Sequence, residues 1–241
     1  MRGVFFIVGP TASGKSELAA DVARELGVEI VNADAFQIYE GFEVITAKPD
    51  AATLAKARHH LIGMVSILEE MNAEKFRRAA LEAIAEIHSR GKTALVVGGS
   101  GLYIKALTHG LHRDWKKVDV HPAGVFVLRG RAELYDRINR RVEAMFNRGI
   151  IEEVRAVGAM SETASKMIGV REIRQLLAGK MSMLQCIAAI QQATRRYAKR
   201  QLTWFRRQTN FPPLNLSGLT HKEAVHWISL RAQRSHARRD D

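Results

Sequence analysis

The sequence predicts an α/β fold in which a parallel β-sheet is covered by helices and followed by a helical C-terminal region. Short apolar runs with strand character alternate with amphipathic helical segments through the first 150 residues, and this alternation is typical of a parallel sheet. From there to residue 208 the chain shows helical periodicity only. The 241 residues, 46% of them hydrophobic, suffice for one such domain with a substantial core.

The predicted elements have clear boundaries along the chain. Strands are predicted at 4–8, 28–31, 93–97 and 124–128, and helices at 13–26, 74–90, 131–148, 152–160, 169–177 and 183–208. Gly27, Gly91 and Gly149 each follow a predicted helix, as expected of C-terminal stops. We expect residues 1–210 to form the core and residues 211–241 to form a C-terminal helix with a basic tail. Thr220 and Glu223 have the spacing of a capping box at the start of that helix.

The charge balance points to a polyanionic partner. The net charge is +12 and the isoelectric point is about 10.2, which favours nucleic acid as the partner over a protein that is basic by chance. Cys186 is the only cysteine, so an intramolecular disulfide is excluded and a cytoplasmic location is expected. No apolar run approaches the ~20 residues of a membrane span, and no membrane partner is expected.

A phosphate-binding loop follows the first predicted strand. Its residues are Gly9, Pro10, Thr11, Ala12, Ser13, Gly14, Lys15 and Ser16, which match the P-loop pattern G-x-x-x-x-G-K-[ST]. The strand before it and the amphipathic helix after it supply the context that the motif requires. Lys15 is predicted to bind the outer phosphate and the Ser16 hydroxyl to bind Mg²⁺. The loop predicts a P-loop NTPase-like sheet but does not identify the phosphorylated ligand.

Polar residues follow two further strands at the edge where ligands bind in such sheets. Asp34 comes directly after the second strand, with Gln37 and Tyr39 beside it, and it is a candidate for chemistry or a simple helix cap. A second glycine-rich turn lies at 98–103. Its glycines either let the backbone approach a ligand closely or serve only to form a tight turn. The adjacent His59 and His60 lack further ligands at metal-binding spacing, which favours a structural role.

The long helix at 183–208 has one cationic face and one apolar face. The cations Arg195, Arg196, Lys199, Arg200, Arg206 and Arg207 fit within roughly 140° of arc at 100° per residue. The apolar side consists of Ile187, Tyr197, Leu202, Trp204 and Phe205. No acidic residue occurs between Thr194 and Gln208, whereas a merely solvated face usually mixes both signs. The pattern therefore favours polyanion binding over a solvated face.

Several separated segments together resemble the tRNA dimethylallyltransferases, which transfer an isopentenyl-type group to the adenosine beside the anticodon. The segments are the phosphate loop at 9–16, Asp34–Tyr39, Thr46–Pro49, His59–Ile62, Gly98–Tyr103, Ile168–Glu172 and Thr194–Phe205. They are in the family's order and cover most of residues 3–207. The two-histidine element and the Thr-Arg…Lys-Arg-Gln…Trp-Phe run are the most specific of them.

The resemblance implies dimethylallyl diphosphate as the donor, tRNA as the partner and Mg²⁺ as the cofactor. A monomer is expected, although the sequence does not establish the oligomeric state. Asp34 would be the base, and Lys15 and Arg195 would stabilise the leaving diphosphate. The expected donor site comprises Gly9, Pro10, Thr11, Ala12, Ser13, Gly14, Lys15, Ser16, Thr46, Lys48 and Arg195, with Ser16 on the metal. The expected tRNA contacts are Asp34, Ala35, Phe36, Gln37, Ser100, Tyr103, Lys199 and Arg200.

One departure from the family concerns a helical insertion that usually follows the second glycine-rich turn. Here only residues at about 111–123 are available for it. Transfer to free AMP, as in adenylate isopentenyltransferases, and a P-loop kinase acting on a small metabolite therefore remain alternatives. A noncatalytic RNA-binding protein is a third, although RNA binding alone does not require Lys15, Ser16 and Asp34 together.

Overall fold

The computed structural model describes residues 3–110 and 122–237. Six parallel strands form one sheet: β1 Val4–Val8, β2 Glu29–Asn32, β3 His59–His60, β4 Ala94–Gly98, β5 Ala123–Leu128 and β6 Pro213–Asn215, in the order β3-β2-β4-β1-β5-β6. The helices are α1 Lys15–Leu26, α2 Ala51–Leu54, α3 Ala73–Ser89, α4 Gly101–His109, α5 Arg131–Asn147, α6 Ile150–Ala156, α7 Glu162–Ser165, α8 Val170–Leu177, α9 Met183–Gln208 and α10 His221–Ala237. The predicted α/β fold with a parallel sheet is confirmed.

Alternate residues of the strands point to two separate cores. Phe5 and Ile7 of β1 pack with α1 and α10 on one face of the sheet. Phe6 and Val8 pack with α3, α4, α5 and α9 on the other face. This is the period-two alternation of a strand that is buried on both sides. Both faces are therefore covered by helices, as the continuous apolar runs in the sequence predict.

Strand register brings three loops to one edge of the sheet. Val8 of β1 pairs with Gly98 of β4, and Asn32 of β2 pairs with Val97. Because the strands are parallel, their carboxyl ends lie at the same level. The loops that begin at residues 9, 33 and 99 therefore emerge side by side, and they carry the phosphate loop, Asp34 and the second glycine-rich turn.

The short strands β3 and β6 and the short helix α7 were not predicted, whereas α2 lies in the short helical stretch expected before Arg58. β6 pairs with β5 in the same sheet, and α10 packs against α1, so the chain beyond residue 210 adds to the structure of the core. The division at residue 210 stays a prediction. Thr220 and Glu223 form the predicted capping box, with each backbone N–H bonded to the other side chain. The predicted remnant of the insertion at 111–123 lies mostly outside the described residues.

The amino edge of the sheet contains a buried carboxylate, Glu29, at the start of β2. It accepts hydrogen bonds from Arg90 (2.7 Å), and it pairs with His60 Nε2 (2.8 Å) and Lys92 (3.2 Å). Burial alone would raise the pKa of this carboxyl, but these partners outweigh burial and hold its pKa at about 2. The structural role predicted for the histidine pair is confirmed for His60.

Candidate active site

A cavity of about 520 Å³ opens at the carboxyl edge of the sheet. Its walls come from the phosphate loop, the segment after β2, the loop at 46–50 and helix α5. Six of the lining residues are cationic and three are acidic: Lys15, Lys48, Arg137, Arg140, Arg141 and Arg148 against Glu17, Asp34 and Asp50. The excess of positive charge makes this cavity a site for an anion.

The phosphate loop presents backbone amides at the start of α1. The first hydrogen bond of the helix runs from Leu18 N–H to Gly14 O, so the amides of residues 15–17 have no partner within the helix. Gly14 has φ +93°, a conformation that favours glycine, and it turns the chain into α1. A side chain at Gly9 is excluded, because its Cβ would lie 2.4 Å from the Val127 carbonyl oxygen. The loop is therefore shaped to hold an anion at the helix N-terminus.

Lys15 is half-buried beside these amides. Burial lowers the pKa of its amine to about 8, the Asp34 carboxylate raises it and Arg141 lowers it further. The amine makes one long contact of 3.4 Å with the Pro10 carbonyl oxygen. A phosphate group that binds beside this lysine would stabilise its positive charge, which the surroundings otherwise disfavour.

Arginines of α5 bind the phosphate loop and line the same cavity, and they were not predicted as site residues. Arg137 Nε donates to the Ala12 carbonyl oxygen (2.9 Å), and Arg141 donates to the Thr11 hydroxyl (2.6 Å). Arg129, which precedes α5, donates to the Ser13 carbonyl oxygen (2.8 Å). Arg137 and Arg141 are one helical turn apart, and that spacing is the signal that could have found them.

Two buried polar atoms at this loop lack a partner within the described residues. They are Ser13 Oγ and Arg141 Nε. Buried polar atoms in proteins are nearly always hydrogen-bonded, so unpaired ones call for an explanation such as a missing ligand. Their position beside the phosphate loop fits a bound anion there.

Asp34 binds the turn that follows it and also lines the cavity. Its Oδ1 accepts hydrogen bonds from the amides of Phe36 (3.0 Å) and Gln37 (3.4 Å). Those two bonds fix the carboxylate, and Oδ2 makes no hydrogen bond to the described part of the chain. Asp34 therefore shapes a turn at 35–38, where the structure has no helix to cap, and its role in chemistry stays a prediction.

The loop that contains Thr46 and Lys48 lies on the far wall of the cavity. Glu153 of α6 holds it by accepting hydrogen bonds from three successive amides, those of Glu43, Val44 and Ile45, at 2.7–2.8 Å. Gln37 donates its side-chain amide to the carbonyl oxygens of Thr46 and Ala47. The Lys48 amine pairs with Glu43 at 2.7 Å. Glu153 is a further residue that the sequence analysis missed, since it lies 108 positions from Ile45.

The second glycine-rich turn packs closely against the protein itself. A Cβ on Gly98 would lie 2.1 Å from the Ala33 carbonyl oxygen, and one on Gly101 would lie 2.5 Å from the Trp204 ring. The Ser100 hydroxyl accepts a hydrogen bond from the Ala35 amide (2.9 Å). Tyr103 is buried and stacks on Phe76 with ring centroids 4.0 Å apart. The glycines are needed for this packing, whichever ligand contacts follow.

Helix α9 has the two faces that the sequence predicts. Its buried side consists of Cys186, Ile190, Thr194, Ala198, Gln201 and Phe205. Lys199 and Arg200 are exposed, and the Arg200 guanidinium lies 5.7 Å from the Tyr197 ring centroid. Arg195 donates to the Asn139 side chain of α5 (2.6 Å) and is not among the cavity-lining residues within the described chain. Its role at the donor site stays a prediction.

The residues present fit a magnesium ion bound together with a diphosphate. Ser16 and Asp34 both line the cavity and offer oxygen ligands, which Mg²⁺ prefers. Across residues 3–110 and 122–237 no group of three or more His, Cys, Asp or Glu side chains could hold a metal alone. A site of one or two protein ligands plus substrate phosphates is the arrangement that Mg²⁺ commonly adopts.

Comparisons with known proteins show which family the chain matches. The family model of IPP transferases matches residues 37–125 and 115–208. A tRNA dimethylallyltransferase 1 from Citrifermentans bemidjiense is 38% identical over 283 positions, covering 89% of this chain and 92% of the relative. A tRNA dimethylallyltransferase from Oenococcus oeni is 40% identical over 225 positions, covering 88% and 87%. Since 283 positions exceed the 241 residues of this chain, the first relative has segments that this chain lacks, whereas the second has a similar length.

Solved structures share the same fold. The tRNA isopentenylpyrophosphate transferase of Bacillus halodurans superposes with a TM-score of 0.87 and 26% identity, and the alignment covers 100% of both chains. The corresponding protein of Staphylococcus epidermidis gives a TM-score of 0.88 at 24% identity, covering 97% of this chain and 99% of that one. No helix in the described chain is long and apolar enough to cross a membrane. The family model and the identities to the curated relatives show that this chain belongs to the IPP transferases, the family of the tRNA dimethylallyltransferases.

Proposed function

We propose that this protein transfers a dimethylallyl group from dimethylallyl diphosphate to N6 of the adenosine beside the anticodon in tRNA and releases diphosphate. The observation that carries the proposal is a cavity lined both by the phosphate loop with Lys15 and by Asp34. Transfer of an allylic group needs both features: cations for the leaving diphosphate and a base for the attacking amine. The names of the relatives support a dimethylallyl group as what is transferred and tRNA as the acceptor.

The diphosphate of the donor would bind to the amides at the start of α1. Lys15 would contact its outer phosphate, and Arg137 and Arg141 would add positive charge from α5. When the allylic C–O bond breaks, the electron pair stays on the diphosphate oxygen, and these fixed donors stabilise the charge that develops there. A Mg²⁺ ion held by Ser16 would neutralise further charge on the phosphates. Thr46 and Lys48 complete the far wall of this donor site.

The acceptor amine would approach from the side of Asp34. A new C–N bond forms as the C–O bond breaks, which leaves positive charge on the nitrogen. Asp34 Oδ2 would accept the proton, while the two amide bonds to Oδ1 hold the carboxylate in place. Phe36 and Gln37 come next in the same turn and are the proposed contacts to the adenine, and Ser100 lies against this turn through Ala35.

The proposed tRNA surface extends from the cavity along α9. Lys199 and Arg200 are exposed there and would contact the phosphate backbone. An adenine in an anticodon loop is already partly unstacked, which lowers the cost of bringing it to a buried donor. The similar length of the Oenococcus oeni relative, which has the name tRNA dimethylallyltransferase, supports tRNA over AMP as the acceptor of a chain without the usual insertion. A monomer stays part of the proposal, and tRNA as acceptor supports a cytoplasmic location.

Transfer of labelled dimethylallyl to hypomodified tRNA and to AMP, offered in parallel with Mg²⁺, tests this proposal. We expect label on tRNA only, and loss of at least about 100-fold of that activity in Asp34→Asn, which keeps the turn but removes the base. Label on AMP only would show that AMP, not tRNA, is the acceptor. Label on neither would reject the transferase proposal. Full activity of Asp34→Asn would reject the base assignment alone.

A further inference from the structure

A buried glutamine on α9 joins two of the three loops at the carboxyl edge. We propose that Gln201 is a positioning residue that sets the phosphate loop for the donor diphosphate. This inference rests on the proposed function, because it names a residue that supports the same donor site. Gln201 does not line the cavity, so any effect on the donor passes through the loop that it holds.

Both halves of the Gln201 side-chain amide are used. Its Oε1 accepts a hydrogen bond from the Thr11 backbone N–H (2.8 Å), and its Nε2 donates to the Gly99 carbonyl oxygen (2.8 Å). Gln201 is 5% exposed, so water does not compete for either bond. One side chain therefore links the phosphate loop to the second glycine-rich turn. The two bonds also orient the amide, because its oxygen must face Thr11 and its nitrogen must face Gly99.

Thr11 is held from a second direction as well. Arg141 of α5 donates to the Thr11 hydroxyl at 2.6 Å, while Gln201 of α9 binds the Thr11 amide. The next residue, Ala12, has φ +62°, a left-handed conformation that a residue with a Cβ adopts only when its surroundings impose it. The two contacts at Thr11 thus support a strained turn in the middle of the phosphate loop.

The two glycine-rich loops pack closely against each other beside Gln201. A Cβ on Gly99 would lie 2.5 Å from Gln201 Nε2 and 2.9 Å from the Gly9 carbonyl oxygen. The Gly9 amide in turn donates to the Gly98 carbonyl oxygen at 3.3 Å. The start of the phosphate loop and the start of the second turn are therefore in direct contact, with Gln201 closing the contact from α9.

This geometry has a consequence for the ligand. Because Thr11 N–H is already bonded to Gln201, it is not available to the diphosphate. The amides that remain for the anion are those further along the loop and at the start of α1, and their direction depends on the turn at Ala12. Loss of Gln201 would free the Thr11 amide and let that turn relax, which weakens the donor site without removing any group that contacts the donor.

The two useful variants are Gln201→Glu and Gln201→Ala. A glutamate keeps the shape of the side chain and still accepts from Thr11, but as a carboxylate it cannot donate to the Gly99 carbonyl oxygen. The Thr11 amide, the Tyr197 hydroxyl and the Arg141 guanidinium on Thr11 lower the pKa of this carboxyl group, whereas burial at 5% exposure and the Gly99 carbonyl raise it. We expect burial to dominate, so that at about pH 6 the protonated form donates to the carbonyl again. Gln192→Glu on the exposed side of α9 is the matched control, because it makes the same chemical change away from the loops.

Calorimetric binding of inorganic pyrophosphate with Mg²⁺, compared with wild type at the same pH, reports on the loop without any transfer reaction. At pH 8 we expect about tenfold weaker binding for Gln201→Glu, the effect of losing one well-placed hydrogen bond, and at least as large a loss for Gln201→Ala, which removes both bonds. Gln192→Glu should bind like wild type. At about pH 6 Gln201→Glu should recover towards wild type while Gln201→Ala does not. In transfer assays KM for the donor should rise while KM for tRNA stays constant.

Wild-type pyrophosphate affinity in folded Gln201→Glu and Gln201→Ala would overturn the proposal. So would weaker binding that follows a fall in Tm and shows no recovery of Gln201→Glu at low pH, since that result assigns a packing role only. The pyrophosphate measurement needs no acceptor, so it separates this inference from the proposed function. A wild-type protein that fails to modify tRNA, but whose pyrophosphate affinity depends on Gln201 in this way, would contradict only the acceptor assignment.

Discussion

The two edges of the sheet differ in how their charged side chains are paired. At the amino edge the buried Glu29 carboxylate is surrounded by Arg90, Lys92 and His60, which satisfy it within the protein. At the carboxyl edge the cations of the cavity outnumber the acids, and polar atoms at the phosphate loop lack partners within the described chain. Charges that are paired within the protein stabilise the fold. An excess of cations, such as the unmatched cluster that lines the cavity, is neutralised by a bound anion. The comparison predicts that changes at one edge act on stability and changes at the other act on binding.

The largest expected effect is at the carboxyl edge. Lys15→Met should lower the rate of dimethylallyl transfer about 10²–10³-fold, the typical effect of removing a group that stabilises developing negative charge. Its thermal stability should not fall, because burial disfavours the charged amine and the amine makes one long hydrogen bond to the described residues. Steady-state transfer kinetics and calorimetric unfolding measure the two quantities. Lys180→Met, at an exposed position, is the control and should change neither.

The next effect is at the amino edge. Glu29→Gln should lower the free energy of unfolding at neutral pH by up to about 3 kcal/mol, the value of a shift in pKa from 4.5 to about 2. Because the folded-state pKa is depressed, this stabilisation is present above the unfolded pKa of 4.5 and is lost as the pH falls towards 2. The difference between wild type and Glu29→Gln should therefore shrink over that range in urea unfolding experiments.

The control for this edge is Glu86→Gln, an exposed carboxylate on α3. It should leave the unfolding free energy and its pH dependence unchanged. Glu29→Gln should bind pyrophosphate like wild type wherever it is folded. A loss of pyrophosphate affinity in that folded variant would show that the two edges are coupled and would contradict the comparison.

The sequence predicted the parts of the molecule that depend on local pattern. The phosphate loop is contiguous, and Asp34 directly follows a strand, so strand topology alone brings them to one edge. Arg137, Glu153 and Gln201 were not predicted, because each acts on a loop more than 100 positions away in the chain. Helical periodicity correctly placed Arg195 on a cationic face, but it does not show what lies opposite, and in the structure that is Asn139 of α5.

A smaller effect concerns the protonation of Lys15. Because burial lowers the pKa of its amine to about 8, the free protein loses this positive charge as the pH rises through 8. Pyrophosphate affinity should therefore fall by up to about tenfold per pH unit above pH 8, and binding there should take up a proton at Lys15. Calorimetry in two buffers with different ionisation enthalpies measures that uptake. Lys15→Arg stays charged, so it should show neither this fall in affinity nor the proton uptake. If wild type and Lys15→Arg had the same pH profile, Lys15 would not titrate in this range.

The smallest expected effect is on Lys199 and Arg200 of α9, which are exposed, whereas Arg137 and Arg141 of α5 are partly buried. Lys199→Gln and Arg200→Gln should each weaken tRNA binding only a few-fold near 0.15 M salt and reduce the slope of log affinity against log salt by about one. Pyrophosphate affinity should stay constant in both, because neither residue lines the cavity. Lys166→Gln, which removes an exposed cation already paired with Glu162, is the control and should leave the salt slope unchanged. An unchanged slope in the α9 variants would move the tRNA surface elsewhere, whereas a loss of pyrophosphate binding would extend the unmatched cluster beyond the cavity to α9.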